Sequence, residues 1–177
     1  MTDAELIVQA LVSHDRAAFG ALVRRHQSAV RRFLRHLTCG NHALADDLAQ
    51  DTFMHAWRRL DDFHGGCAFV TWLLGIAHNH WRNARRQIER QSPADPTLPE
   101  PQVESSTGNS DLRQDLAEAL KHLSSDEQLA VHLFYQQSLS HREISLLLGW
   151  PLGTVKTHLA RGKEKLRPLL SSWNPQT

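Results

Sequence analysis

The sequence predicts an all-α protein: two small helical bundles joined by a flexible Pro-rich linker, the second containing a helix-turn-helix. Three observations carry this. Apolar residues recur at three- and four-residue steps through most of the chain, alternating strand-like runs bounded by turn signals are absent, and one Pro-rich stretch interrupts the helical periodicity. That stretch, residues 92–110, holds four of the seven prolines, no Lys or Arg and no aromatic side chain. Such a composition cannot bury enough apolar surface to order itself. The expected organisation is a first domain over 1–91, a linker over 92–110, a second domain over 111–172 and a tail over 173–177. At 177 residues, each of two domains has only a modest core.

In the first domain a short helix is expected over 3–13. Phe19, Leu22, Val23, His26, Val30, Phe33, Leu34 and Leu37 then form one stripe of a helix from about 16 to 38, which Gly40 and Asn41 end. A helix from about 43 to 60 turns Leu44, Leu48, Ala56, Trp57 and Leu60 inward and Asp47, Gln50, Asp51, Met54 and Arg58 outward. Gly65 and Gly66 interrupt again. The next helix, about 68 to 90, aligns Phe69, Leu73, Ile76, Ala77, His80, Ala84 and Ile88, with Trp72, Asn79, Arg82, Arg86 and Arg90 elsewhere around it. Of the histidines, His26 and His80 are the candidates for core positions.

The second domain begins with a stripe of Leu112, Leu116, Leu120 and Leu123. Ser124 with Glu127 has the spacing of a capping box, and so does Ser140 with Glu143. The helix opened by Ser140 closes at Gly149, after which Pro151 suits the first turn of a final helix with Leu152, Val155, Leu159, Leu166 and Leu170 toward the core. A short capped helix, a tight turn and a longer basic helix are the layout of a helix-turn-helix.

Charge places the chemistry. The formal net charge is only +1, with 20 Lys and Arg against 19 Asp and Glu, so the whole chain does not announce a nucleic-acid binder. The distribution does: Arg24, Arg25, Arg31, Arg32 and Arg35 gather near the N-terminus, Arg82, Arg85, Arg86 and Arg90 mid-chain, and Lys156, Arg161, Lys163, Lys165 and Arg167 near the end. Thr154, Thr157, His158, Arg161 and Lys165 fall at i, i+3, i+4, i+7 and i+11 of the last helix, flanked by Lys156 and Lys163. A helix of this kind fits the major groove, where Arg bonds guanine bidentately and Thr bonds bases or touches thymine methyls, while the lysines neutralise phosphates. An ordinary solvated basic face carries the same charges; the capped helix and turn before it favour DNA.

Two cysteines, Cys39 and Cys67, make no disulfide framework and no Cys-x-x-Cys pair, so a reduced, cytoplasmic setting is expected. The N-terminus lacks a basic region followed by an apolar core, and the longest mainly apolar run, Phe69 to Ala77, is too short to span a bilayer. No direct membrane insertion is expected.

The segment LSHREISLLLGWPLGTVKTHLARGKEKLR closely resembles region 4 of bacterial sigma factors, which binds the minus thirty-five promoter element. DDLAQDTFMHAWRRLDDF resembles the region 2 helix that docks on the clamp helices of the polymerase largest subunit, and FHGGCAFVTWLLGIAHNHWRNARR resembles the segment that melts and reads the minus ten element. With regions 2 and 4, a linker and no room for a region 3 domain, the chain resembles the extracytoplasmic-function subfamily. Nineteen linker residues extended at about 3.1 Å each reach roughly 60 Å, against roughly 34 Å for a turn of B-DNA.

The resemblance implies an alternative sigma factor, a transcription initiation factor without enzymatic activity. It implies contacts with core RNA polymerase through Asp47, Gln50, Asp51 and Met54, and a contact of the second domain with the flap of the second-largest subunit. It assigns the loop Phe63, His64, Gly65, Gly66 and Cys67, with Asn79, to the opened strand, and Arg82, Arg85 and Arg86 suit its backbone. Phe63 fits core and pocket equally, and Trp72 fits the core better. Family members often carry a small polar residue where Cys67 stands, so base preference does not carry over. Thr154, Lys156, Thr157, His158, Arg161, Lys163 and Lys165 correspond to the duplex-binding helix. The family also implies control by an anti-sigma factor, often membrane-anchored, which would hold the protein near the inner membrane until release to the nucleoid.

Two other classes compete. An enzyme reading would rest on a metal held by Asp46, Asp47 and Asp51 or by histidines, but Asp46 and Asp51 diverge around a helix, no His-x-x-x-His pair has a third ligand, His64 with Cys67 lacks a second pair, and no Gly-rich phosphate loop or nucleophile elbow is present. No cofactor, metal or catalytic residue is expected. A conventional helix-turn-helix regulator would share the last helix but not polymerase binding by the first domain.

Overall fold

The computed structural model describes residues 1–91 and 119–171. The chain divides into two compact units, Met1–Gln102 and Val103–Thr177. Among the described residues every regular element is helical. The expected linker, the Leu112 and Leu116 part of the leucine stripe, and the tail lie outside the described residues.

In the first unit α1 (Asp3–Val12) is opened by a complete Thr2–Glu5 capping box. Asp15 caps α2 (Arg16–Leu37), accepting from the amides of Ala17 and Ala18. Cys39 (φ 51°) and Gly40 (φ 80°) carry the chain out of α2 in left-handed conformations. Asn41 then caps α3 (His42–Arg58) by accepting from the Leu44 amide. The single helix expected to residue 60 stops at Arg58, and Leu60–Asp62 forms a separate 3-10 turn. That turn seats Leu60 in the core, while Asp62 accepts a hydrogen bond from the Arg59 side chain. The last helix of the unit is α4 (Phe69–Gln91).

Helices α2, α3 and α4 all pack on one another, and α1 covers α2. Leu22, Val30, Phe33, Leu34, Leu73 and Leu74 lose essentially all contact with water, each such burial stabilising the fold by roughly 1.5–3 kcal/mol. Because α4 meets two helices, its buried face is wider than one stripe: Thr71, Leu74 and His78 are buried beside Phe69, Leu73 and Ala77. His78, not His80, is therefore the core histidine of α4; His80 is half-buried opposite His55, with ring centroids 5.4 Å apart. Ile88, expected inside, is 52% exposed near the end of α4. On α3 the tightest packing falls to Ala45, Leu48, Ala49, Thr52 and Ala56, leaving Leu44 and Trp57 half-buried.

In the second unit Ser124 and Glu127 form the expected capping box of α5 (Ser125–Val131). The helix does not end at Val131 but widens into a π-helical stretch, His132–Gln136, which apolar spacing did not foretell. Ser140 and Glu143 box the start of α6 (His141–Leu148), and Gly149, with φ 68°, ends it. Ser145 donates to the Trp150 carbonyl at 2.6 Å and closes the turn. Pro151 stands just before α7 (Leu152–Ser171), its carbonyl accepting from the Thr154 and Val155 amides. Val155, Leu159 and Leu166 enter the core as expected, but Leu152 is 43% exposed, one turn short of the first buried residue. Gly162 is also buried: a Cβ there would lie 2.9 Å from Val131 Cγ2, so α7 approaches α5 where only glycine fits.

Candidate nucleic-acid interface

The outward residues of α7 fall into two groups that helical spacing did not separate. Lys156, Thr157, Arg161 and Lys163 are exposed, whereas Thr154 and His158 are half-buried along the edge of the packed face. His158 rests on Trp150 of the turn, ring centroids 5.1 Å apart. The Thr157 hydroxyl donates to the Gly153 carbonyl at 2.8 Å, so its oxygen lone pairs and its methyl, rather than its proton, remain for a ligand. Lys163 lies over two rings of the π-helical stretch, 5.6 Å from Phe134 and 5.7 Å from Tyr135. Lys165, expected on the duplex-facing side, is 44% exposed and places its ammonium 2.7 Å from the Glu127 carboxylate, which is almost fully buried. Phe134, Tyr135 and Glu127 were not legible as neighbours of α7, since each joins it only through the tertiary packing.

The residues assigned to strand opening share a surface but not a pocket. Phe63 is half-buried, edge-on to Phe69 at 5.2 Å and tilted against Trp72 at 5.4 Å. This divides its surface between the core and the loop. His64, Gly65 and Gly66 are exposed, Cys67 is partly covered, and Gly65 (φ 73°) supplies the left-handed turn. Asn79, Arg82 and Arg86 are exposed on α4. Asn79 stands ten residues beyond Phe69, about 15 Å along the helix axis. The layout is therefore a stripe running from the aromatic loop down α4, with Trp72, Asn79, Arg82 and Arg86 spaced along its outer side. Arg85 packs over Trp81, 5.6 Å from the ring.

Between α2 and α3 lies an open groove of about 570 Å³. Phe19, Val23, Phe53 and Trp57 give it an apolar floor, with Phe19 and Trp57 in ring contact at 5.0 Å. Asp47, Gln50 and Met54 stand along it, and an Arg31–Asp46 ion pair of 3.1 Å bridges one end. Asp51 is exposed but lies off the groove, on the side of α3 that faces α4, where its charge acts on His80. Burial and the neighbouring His55 outweigh that charge and lower the His80 pKa. The spacing thus found the rim, and Phe53 beside Met54 reads as part of the same surface, but Phe19, Val23 and Trp57 read as ordinary core.

Among the described residues no cluster of three or more His, Cys, Asp or Glu side chains is placed to hold a metal. Nor is any described helix long and apolar enough to cross a membrane.

A capped α6, a left-handed turn at Gly149 and a basic α7 define the second unit as a helix-turn-helix module. Residues 22–91 match the family Sigma-70 region 2, and residues 113–166 match Sigma-70, region 4. The chain is 34% identical over 156 residues to the RNA polymerase sigma factor CarQ of Myxococcus xanthus, covering 86% of this chain and 89% of that one. It is 30% identical over 189 residues to the ECF RNA polymerase sigma-E factor of Escherichia coli K12, covering 96% and 97%. Among solved structures it is similar to the sigma factor RpoE in complex with the anti-sigma factor NepR from Bartonella quintana, with a TM-score of 0.72, 29% identity, and 86% and 96% of the two chains covered. CnrH in complex with the cytosolic domain of CnrY gives 0.65 at 28% identity, covering 96% and 97%. The chain belongs to the extracytoplasmic-function sigma factors. It is a transcription initiation factor, not an enzyme.

Proposed function

We propose that the first unit captures core RNA polymerase through the α2–α3 groove and its rim of Asp47, Gln50 and Met54, with Asp51 at its flank. The second unit then reads the minus thirty-five duplex with Lys156, Thr157, Arg161 and Lys163 of α7, Thr154 and His158 shaping the edge of that face. The stripe from the Phe63–Cys67 loop to Asn79, Arg82 and Arg86 holds the opened minus ten strand. What carries this reading is the presence, in one chain, of an apolar groove edged by carboxylates and a basic helix seated by a capped helix-turn-helix. The groove suits an apolar and basic partner helix, such as a clamp helix of the largest subunit; the second unit would meet the flap of the second-largest subunit.

An anti-sigma factor controls the protein in this reading, by analogy with the RpoE–NepR and CnrH–CnrY complexes. The site of action is the cytoplasm, with storage near the inner membrane if that inhibitor is membrane-anchored.

The test is run-off transcription with purified core enzyme on a genomic promoter library. Asp47→Arg should weaken core binding at least tenfold and leave the promoter preference of the residual holoenzyme unchanged. Arg161→Ala should leave core binding intact and weaken duplex recognition about tenfold, the 1–3 kcal/mol of one bidentate base contact. Equal loss of both activities in either variant refutes the division of labour. Specific duplex binding without polymerase would favour a conventional regulator.

A further inference from the structure

We propose that Glu127 and Lys165 form a positioning pair that fixes the seat of the DNA-reading helix, so that promoter recognition depends on a buried acid that does not face the duplex. This rests on α7 being the duplex-reading helix. The Glu127 side chain is 5% exposed and accepts from the Ser124 amide at 2.9 Å and the Lys165 ammonium at 2.7 Å. Burial pushes its carboxyl up, but Lys165 and the Ser124 amide outweigh this and hold it below the ordinary glutamate value. One carboxylate thus completes the cap of α5 and anchors α7, joining residues 38 apart in sequence.

The anchor is placed where it controls orientation. At its N-terminal end α7 is tied to α6 by the Gly149–Trp150 turn, closed by Ser145. Lys165 lies thirteen residues beyond Leu152, about 20 Å along the axis. A close approach of α7 to α5, at Gly162 and Val131, is within one turn of Lys165. Two such points restrain the helix against rolling and sliding. Recognition of base edges requires this, since productive geometry tolerates only about 0.5 Å and 10–20°. With its charge compensated by Glu127, Lys165 is also a poor counter-charge for phosphate.

The two roles predict opposite signs. If Lys165 were a phosphate contact, Glu127 would only oppose the DNA charge, and removing its charge would tighten binding. If the pair positions α7, removing that charge loosens the helix and weakens recognition. Holoenzyme is assembled from core polymerase and full-length E127Q, K165M, K165R or the E127Q/K165M double variant. Affinity is measured for a promoter duplex selected with the wild type and for the same duplex with a scrambled minus thirty-five element, over a series of salt concentrations.

We expect E127Q and K165M each to lower the specific-to-scrambled affinity ratio about tenfold with the salt slope unchanged. The double variant should fall no further than either single, and K165R should restore most of the ratio. Circular dichroism of each free variant establishes that the helices are retained. Tighter specific binding by E127Q, or a K165M salt slope smaller by about one with equal loss on both duplexes, overturns the proposal. A wild-type holoenzyme indifferent to scrambling would overturn the reading of α7 itself; discrimination retained by E127Q overturns only the positioning pair.

Discussion

Acidification from pH 7 to pH 5 should destabilise the first unit through its buried histidines. Burial, reinforced by the charge of Arg82, lowers His78 from 6.5 to about 4, and burial alone lowers His36 to about 4. His36 keeps more of its surface in contact with water, so His78, 7% exposed and stacked on Trp81 at 5.7 Å, is the cleaner probe. Between about pH 6.5 and 4 the unfolded chain holds a proton on this ring that the folded chain excludes, so stability falls as pH falls. For a pKa of 6.5 unfolded and about 4 folded, His78 alone removes about 2 kcal/mol between pH 7 and pH 5, roughly 1 kcal/mol per pH unit. Urea unfolding at pH 7, 6 and 5, with the transitions of the two units fitted separately, measures this. His78→Gln supplies a side chain that does not titrate. Its stability at pH 7 will fall because an amide replaces the ring, so the slope is the reading: the pH dependence should shrink by about 2 kcal/mol over the window. A His78→Gln slope equal to wild type, or a wild-type first unit insensitive to pH over this range, would refute the reasoning.

Three substitutions address packing and capping. Gly162→Ala should destabilise the second unit by about 1 kcal/mol in thermal or urea unfolding, because overpacking against Val131 outweighs a helix-propensity gain of about 1 kcal/mol. Gly75→Ala, where a Cβ meets nothing within 4 Å, should stabilise the first unit by up to about 1 kcal/mol; the same sign at both glycines would contradict the packing account. Ser140→Ala removes the acceptor for the Glu143 amide and should destabilise the second unit by about 1 kcal/mol, with hydrogen exchange rising first in α6.

Much of this protein could be read from local rules. The two serine-glutamate boxes, the glycine exit from α6 and the outward set Asp47, Gln50, Asp51 and Met54 follow from short-range spacing, because capping and helical periodicity involve neighbours within a turn or two. Region identity was legible for a related reason, since the segments that carry it are contiguous. What periodicity could not rank was depth. His80 and Ile88 share a stripe with buried residues yet sit at an edge and an end, while His78 is buried because α4 meets two helices instead of one.

By itself, then, the sequence determined the helical character of both units, the serine-glutamate caps of α5 and α6, and the family. Only the tertiary structure decided which polar side chains remain available for a partner. It turned a row of surface residues into the rim of a groove by bringing Phe19 and Val23 of α2 beside Phe53 and Trp57 of α3. It also paired Lys165, one of the basic residues of α7, with the buried Glu127. The reason is physical: a helical wheel assigns direction around one axis, whereas burial and ion pairing depend on what a distant segment of chain places opposite.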